Sequence, residues 1–180
     1  LASLPLYLPG WPKGFFPIER WLAPDPARRA AIARRIASAA AGRRIVGIAW
    51  RSQRAQLGSH KSMPLESWAP VLKRPDTLFV TLQYGDVDAE VAAARAATGA
   101  DIYTDPEVDR FDDLEGLVAL VDVFDAIVTT SNVTVHFAGA AGKPTLLALH
   151  HMPLWYWYPA FDAYRSVERF RQDGRGEVGL

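Results

Sequence analysis

The sequence has no cysteine and no net charge, and each absence excludes a class of function. Without cysteine among its 180 residues, the chain has no disulfides, thiolate zinc sites or cysteine nucleophiles. The 20 Lys and Arg residues balance the 20 Asp and Glu residues, so the formal net charge is zero. No basic stripe interleaved with aromatics replaces the missing positive field, so nucleic acid is not an expected partner.

Metal-ligand patterns and long apolar runs are also missing. The four histidines do not fall at metal-ligand spacing with carboxylates, so we predict no metal site. No apolar run reaches membrane-spanning length, and residues 1–12 lack the basic start of a signal peptide. We therefore expect no membrane span and a cytoplasmic location. Because the sequence begins at Leu1, we expect it to be a piece of a longer polypeptide.

Short β-branched runs alternate with helical segments from residue 45 onward. A content of 49% hydrophobic residues is enough to bury one core. We predict strands over residues 45–50, 77–83, 100–103, 126–130 and 145–149, and a last short strand within 164–171. This alternation is typical of a parallel sheet. The predicted fold class is α/β, a Rossmann-like parallel sheet of about five or six strands with helices on both faces.

Helix boundary signals mark the segments between these strands. Asp25-Pro26 predicts a helix over residues 27–41, and Gly99 ends another over residues 88–98. Asp112 with Glu115 forms a capping-box-like start for a helix over residues 113–123. A further short helix is predicted over residues 64–73.

Composition divides the chain into three parts. Residues 1–24 are rich in proline and aromatics and are interpreted as a linker, residues 25–172 as the folded domain, and residues 173–180 as a flexible tail. The arginines of the first predicted helix alternate with apolar residues, which favours a solvated face over a binding cluster. The aromatics of residues 155–161 are expected to cover the end of the sheet rather than to contact another domain.

The turn after residues 126–130 has the chemistry of a phosphate site. Ser131 and Asn132 are strong N-capping types, and together with Thr134 they place free N–H groups, hydroxyls and an amide at the positive end of a helix. His136 lies four residues after Asn132, on the same helical face. Lys61, in the loop after the first strand, is placed to neutralise an anion there. The same residues also suit a helix cap and a packed core histidine, so both interpretations stay open.

Several common motifs are missing. The first strand is not followed by the glycine-rich fingerprint of dinucleotide cofactors, and neither a P-loop nor a serine-hydrolase elbow is present. Residues 86–88 superficially match the acidic element by which some sugar transferases hold a metal. Acidic residues at a helix start are more simply explained as a cap.

Taken together, several segments resemble one family. They are residues 46–52, 61–65, 81–83, 114–117, 131–140, 142–144 and 169–172. They resemble the C-terminal domain of bacterial tetratricopeptide-repeat glycosyltransferases, which are relatives of the lipopolysaccharide heptosyltransferases and, more distantly, of protein O-linked N-acetylglucosamine transferases. The resemblance implies a GT-B architecture of two Rossmann-like domains, of which this chain is the nucleotide-sugar half.

The resemblance also implies roles for particular residues. Lys61 meets the donor diphosphate, and the turn formed by Ser131, Asn132, Val133 and Thr134 receives that diphosphate on backbone amides. The remaining implied contacts are His136 near the phosphates, Gln83 near the base or ribose, and Asp88 near the ribose.

The implied reaction is transfer of a sugar from a nucleoside-diphosphate sugar of UDP or ADP type, without a metal or another cofactor. No catalytic residue is identified. The acceptor side is expected in a missing N-terminal domain or repeat array, so the isolated chain is expected to bind donor only. Heptosyltransferases usually have Asp-Thr-Gly where this chain has residues 131–133, which leaves the donor open. The alternative is a non-catalytic, degenerate module used for packing or protein contacts.

Overall fold

A computed structural model describes residues 19–52, 62–158 and 164–173. Its strands are β1 (Arg44–Ala49), β2 (Thr77–Thr81), β3 (Ile102–Tyr103), β4 (Ala126–Thr130), β5 (Thr145–Leu149) and β6 (Val167–Arg171). In the described ranges they form one six-stranded sheet in the order β3-β2-β1-β4-β5-β6. All neighbouring strands are parallel. The predicted fold class is confirmed.

Helices connect the strands. They are α1 (Pro26–Ala40), α2 (Ala69–Leu72), α3 (Asp88–Thr98), α4 (Leu114–Val123) and α5 (Val133–Ala140), with 3₁₀ turns over Leu65–Trp68 and Trp155–Trp157. The Asp25 carboxylate accepts the N–H of Arg28, which confirms the predicted cap of α1. Gly99 ends α3 with a φ of 70°, a conformation in which glycine avoids the Cβ clash of other residues.

Apolar side chains cover both faces of the sheet. On one face, buried residues of α1, α4 and the C-terminal part of α5 form a core with side chains of β2 and β4. On the other face, residues of the first 3₁₀ turn, α2 and α3 form a second core with other side chains of the same sheet. This two-sided cover is what a parallel sheet requires. No helix among the described residues has the length and apolarity to cross a membrane.

Two predicted caps are wrong in detail. The carboxylate of Asp113, rather than that of Asp112, accepts the N–H of Gly116 and caps α4. The N-cap of α3 is Val87, whose side chain makes no capping bond. Asp86 instead accepts the N–H of Asp88 at 3.2 Å, closing the turn before the helix. Neighbouring aspartates fit the same sequence pattern for an N-cap, and the backbone conformation determines which carboxylate reaches a free N–H group.

The arginine face of α1 is exposed at Arg29 and Arg34, as predicted, but three of its arginines also form ion pairs that were not predicted. Arg28 pairs with Asp113, Arg29 with Asp122 at 2.5 Å, and Arg35 with the buried Asp105. These ion pairs tie α1 to α4 and to the loop after β3. Their partners lie at least 70 residues away in the sequence, so helical periodicity alone does not reveal them.

The linker prediction falls largely on residues outside the described ranges. In the described part, the N–H groups of Trp21 and Leu22 both donate to the carbonyl of Ala140 at 3.0 Å, so this segment docks on the end of α5. The predicted tail, apart from residue 173, also lies outside the described residues.

The aromatic segment after β5 divides into packed and exposed rings. Trp157 is buried against Val135, Leu147 and Val167, in agreement with a cover over the sheet. Trp155 and Tyr158 keep 42% and 41% of their surface exposed. Phe161 lies outside the described residues.

Candidate functional site

The strand order places the candidate site where the direction of the sheet's connections reverses. β1 lies between β2 and β4, so the loops leaving β1 and β4 diverge from adjacent positions, with Ala49 opposite Thr129. In open α/β sheets, ligands bind in the crevice beside the carboxyl ends of the strands at such a switch point. The turn between β4 and α5 therefore lies at the expected binding edge.

Asn132 organises this turn. Its side-chain oxygen accepts the N–H of Thr134 at 2.9 Å and the hydroxyl of Thr129 at 3.3 Å. Its amide nitrogen donates to the carbonyl of Arg51 at 3.4 Å, which joins the turn to the loop after β1. The predicted cap is confirmed, and the same side chain also bridges the two loops of the switch point.

The turn retains hydrogen-bonding capacity. The N–H of Val133, the first residue of α5, has no acceptor among the described residues. The buried hydroxyl of Thr130 has no hydrogen-bond partner in the same ranges. A buried polar atom without a partner is costly and calls for an explanation, of which a bound ligand is one. Val133 belongs to the turn predicted to receive a phosphate, and Thr130 is the last residue of β4, directly before that turn.

We expect Asn132→Ala to lower the free energy of unfolding by about 1 kcal/mol or more, because it removes a side-chain cap. The lost bridge to Arg51 adds to this cost. Urea unfolding checks it, with Asn132→Asp as the control, since aspartate also caps helices but cannot donate to the Arg51 carbonyl. Equal stability of Asn132→Ala and the wild type would contradict the assigned cap.

Ser131 and His136 contact the aromatic cover. The Ser131 hydroxyl accepts the indole N–H of Trp157 at 2.9 Å. The half-buried His136 ring stacks on Trp157, with centroids 5.3 Å apart and planes at 17°. Its Nδ1 lies 3.2 Å from the hydroxyl of Tyr164, and burial raises the pKa of that tyrosine. Both side chains are therefore packed beside the turn, and their phosphate contacts stay predictions.

Gln83 connects the loops after β1 and β2. It is fully buried, and its side-chain oxygen accepts the N–H groups of Trp50 at 3.1 Å and Arg51 at 2.9 Å. The Arg51 guanidinium pairs with Glu90 at 3.0 Å. Gln83 thus shapes the binding edge through the backbone, and its predicted contact with a base or ribose is not tested.

A cleft of about 600 Å³ opens beside Gln83, between residues 84–85 and 104–112 at the ends of β2 and β3. Arg110 lines it and donates from Nε to the carbonyl of Gln83 at 3.0 Å. The side chain of Asp88, the predicted ribose contact, is exposed at the start of α3 and electrostatically affects Arg110. Hydrogen bonds thus connect the turn between β4 and α5 to this cleft through Asn132, Arg51, Gln83 and Arg110.

Sequence reasoning missed the cleft residues Tyr84, Arg110 and Phe111. The available signal was an arginine next to an aromatic residue, Arg110 and Phe111, in the loop after a predicted strand. Lys61, the predicted cation for the diphosphate, lies outside the described residues. Among the residues that the structure describes, no group of three or more His, Asp or Glu is placed to hold a metal ion.

No protein-family model matches the chain. Protein FlbA of Caulobacter vibrioides is 33% identical over 151 residues, which cover 78% of this chain and 25% of FlbA. The chain therefore spans about a quarter of the length of this curated relative.

Solved structures of heptosyltransferases share the fold. E. coli ADP-heptose lps heptosyltransferase II has a TM-score of 0.63 at 16% identity, over 85% of this chain and 45% of that one. A family 9 glycosyl transferase from Veillonella parvula DSM 2008 has a TM-score of 0.57 at 15% identity, over 84% and 42%. E. coli heptosyltransferase WaaC with ADP has a TM-score of 0.52 at 17% identity, over 80% and 43%. The expected relation to heptosyltransferases is confirmed at the level of the fold, whereas the relation to tetratricopeptide-repeat enzymes stays a prediction.

Proposed function

We propose that this chain is the donor-binding domain of a glycosyltransferase. The diphosphate of a nucleotide sugar, of UDP or ADP type, binds at the turn between β4 and α5, and the nucleoside extends towards the cleft beyond β2. The observation that carries the proposal is the position of this turn at the switch point, with the Val133 N–H and the buried Thr130 hydroxyl unpartnered among the described residues. The fold shared with heptosyltransferases supports it.

The proposed chemistry needs no metal. A departing diphosphate gains negative charge, which the amino end of α5 and the side chain of Lys61 stabilise. The acceptor and any general base belong to an N-terminal domain or repeat array, since this chain spans less than half of the heptosyltransferases it resembles. We further propose that the protein acts in the cytoplasm.

Titration of the chain with UDP, ADP and GDP by calorimetry tests the proposal. We expect at least one nucleotide to bind, and Lys61→Ala to weaken it by roughly tenfold, because a charge-assisted bond to phosphate is lost. His136→Ala is expected to weaken it less, since His136 also packs on Trp157. Lys73→Ala, on an exposed lysine after α2, is the control. Absence of binding by all three nucleotides would contradict donor binding.

A non-catalytic module is the second candidate. It is favoured because several predicted ligand residues already make contacts with other residues of the domain. Gln83 holds two backbone N–H groups, Ser131 accepts from Trp157, and His136 stacks on the same ring. Under this candidate the turn serves packing, and the variants change stability without any nucleotide signal.

A further inference from the structure

We propose that Arg110 determines which nucleobase the domain accepts, and that the cleft beside it takes a keto base, uracil or guanine, in preference to adenine. This inference rests on the proposed donor-binding function. It assigns a role to the cleft at the ends of β2 and β3.

The Arg110 guanidinium is held in place by only some of its N–H groups. Its Nε donates to the carbonyl of Gln83 at 3.0 Å, and one terminal nitrogen donates to the carbonyl of Asp105 at 3.2 Å. A guanidinium has five N–H groups, so others are left for a ligand. No carboxylate of the described residues forms an ion pair with it. Burial lowers the pKa of Arg110, which the nearby carboxylates of Asp109, Asp105 and Asp88 only partly offset.

The loop that carries Arg110 is fixed to the rest of the fold. The fully buried carboxylate of Asp105 accepts two bonds from Arg35 of α1, both at 3.2 Å, and the N–H of Glu107 at 2.9 Å. The buried Gln83 fixes the other carbonyl that Arg110 contacts. Because both carbonyls that Arg110 contacts are fixed, its guanidinium keeps its orientation when a ligand binds. A donor with a fixed orientation discriminates between ligands by the positions of their acceptor atoms.

Two aromatic rings provide a stacking surface next to this donor. Phe111, adjacent to Arg110, keeps 67% of its surface exposed on the lining of the cleft. Its ring centroid lies 5.8 Å from that of Tyr84 on the loop after β2, at 47°. Stacking of a base on an aromatic side chain contributes about 1–3 kcal/mol. An exposed ring beside a fixed guanidinium suits a flat, polar-edged ligand.

The charges of the cleft favour a base over a second phosphate. Among the described residues, Arg110 is the single basic residue of the lining, whereas Glu107, Asp109 and Asp112 are acidic. Such a lining repels a dianion. Arginine only donates, and it pairs well with carbonyl oxygens such as guanine O6. Uracil and guanine carry such oxygens, whereas adenine presents an amino donor and ring nitrogens.

Calorimetry with UDP, GDP and ADP under one buffer and salt condition tests the inference. We expect the wild type to bind UDP or GDP roughly ten- to a hundredfold more tightly than ADP. Arg110→Met should bring the preferred nucleotide close to the ADP value and change ADP little. Arg74 is an exposed arginine before the amino-terminal end of β2, whereas the cleft lies at the carboxyl-terminal end of that strand. Arg74→Met should therefore leave all three affinities unchanged.

Arg110→Lys guards against a folding defect, since it keeps the charge but loses the planar fork. Folded protein with reduced discrimination between keto bases and adenine supports the inference, and folded protein with unchanged discrimination overturns it. ADP binding as tight as that of UDP and GDP, or an equal loss for all three in Arg110→Met, also overturns it while donor binding stands. If no nucleotide binds the wild type, the proposed function itself fails.

Discussion

Val133→Glu is expected to lower the affinity for a nucleoside diphosphate by roughly a hundredfold without reducing the stability of the fold. Val133 is the first residue of α5, and 45% of its surface is exposed. A carboxylate in the first turn of a helix stabilises it by about 0.3–1 kcal/mol. The same charge about 5 Å from a phosphate repels it by roughly 3 kcal/mol at an effective dielectric near 20. Calorimetry measures the affinity, and thermal unfolding measures the stability.

Val133→Gln is the matched control for this prediction. Glutamine has the same length as glutamate but no charge, so it should leave binding nearly unchanged. If the Glu and Gln variants bind nucleotide equally well, the diphosphate does not lie at the amino end of α5. If the chain is a packing module, the Glu variant changes stability alone.

The elements around the site could be predicted because their signals are local. The β-branched run and the capping amide gave β4 (Ala126–Thr130), β5 (Thr145–Leu149) and the start of α5 at the predicted positions. Alternation of strands and helices then constrains the sheet to be parallel. The order of strands in that sheet was not predicted, and it is what places β4 beside β1.

The surroundings of the predicted site residues could not be read from the sequence. His136 meets the Tyr164 hydroxyl 28 residues further along the chain, and Asn132 meets Arg51 across 81 residues. Neither pair has a periodic signature. The role of Gln83 in holding two backbone N–H groups likewise depends on the distance between the ends of β1 and β2. Residue types indicated the segment in which a binding site could form. The fold determines which of its polar groups already have hydrogen-bond partners within the domain.

Gly47→Ala is expected to destabilise the fold by about 3 kcal/mol, since it inserts a methyl group into a filled space. A Cβ at position 47 would lie 2.5 and 2.6 Å from ring atoms of Phe124 and 2.8 Å from Leu82. Strand β1 cannot move away, because Gly47 is in register with Val80 on one side and Ile127 on the other. Urea unfolding measures the loss.

A double variant identifies the clash as the cause. Phe124→Leu alone removes part of a buried ring and should cost about 1–3 kcal/mol through the space it leaves. In Gly47→Ala with Phe124→Leu, the new methyl occupies some of that space, so the double variant should lose less than the two single variants together. Additive losses would mean that a clash with the Phe124 ring is not the cause of the destabilisation by Gly47→Ala.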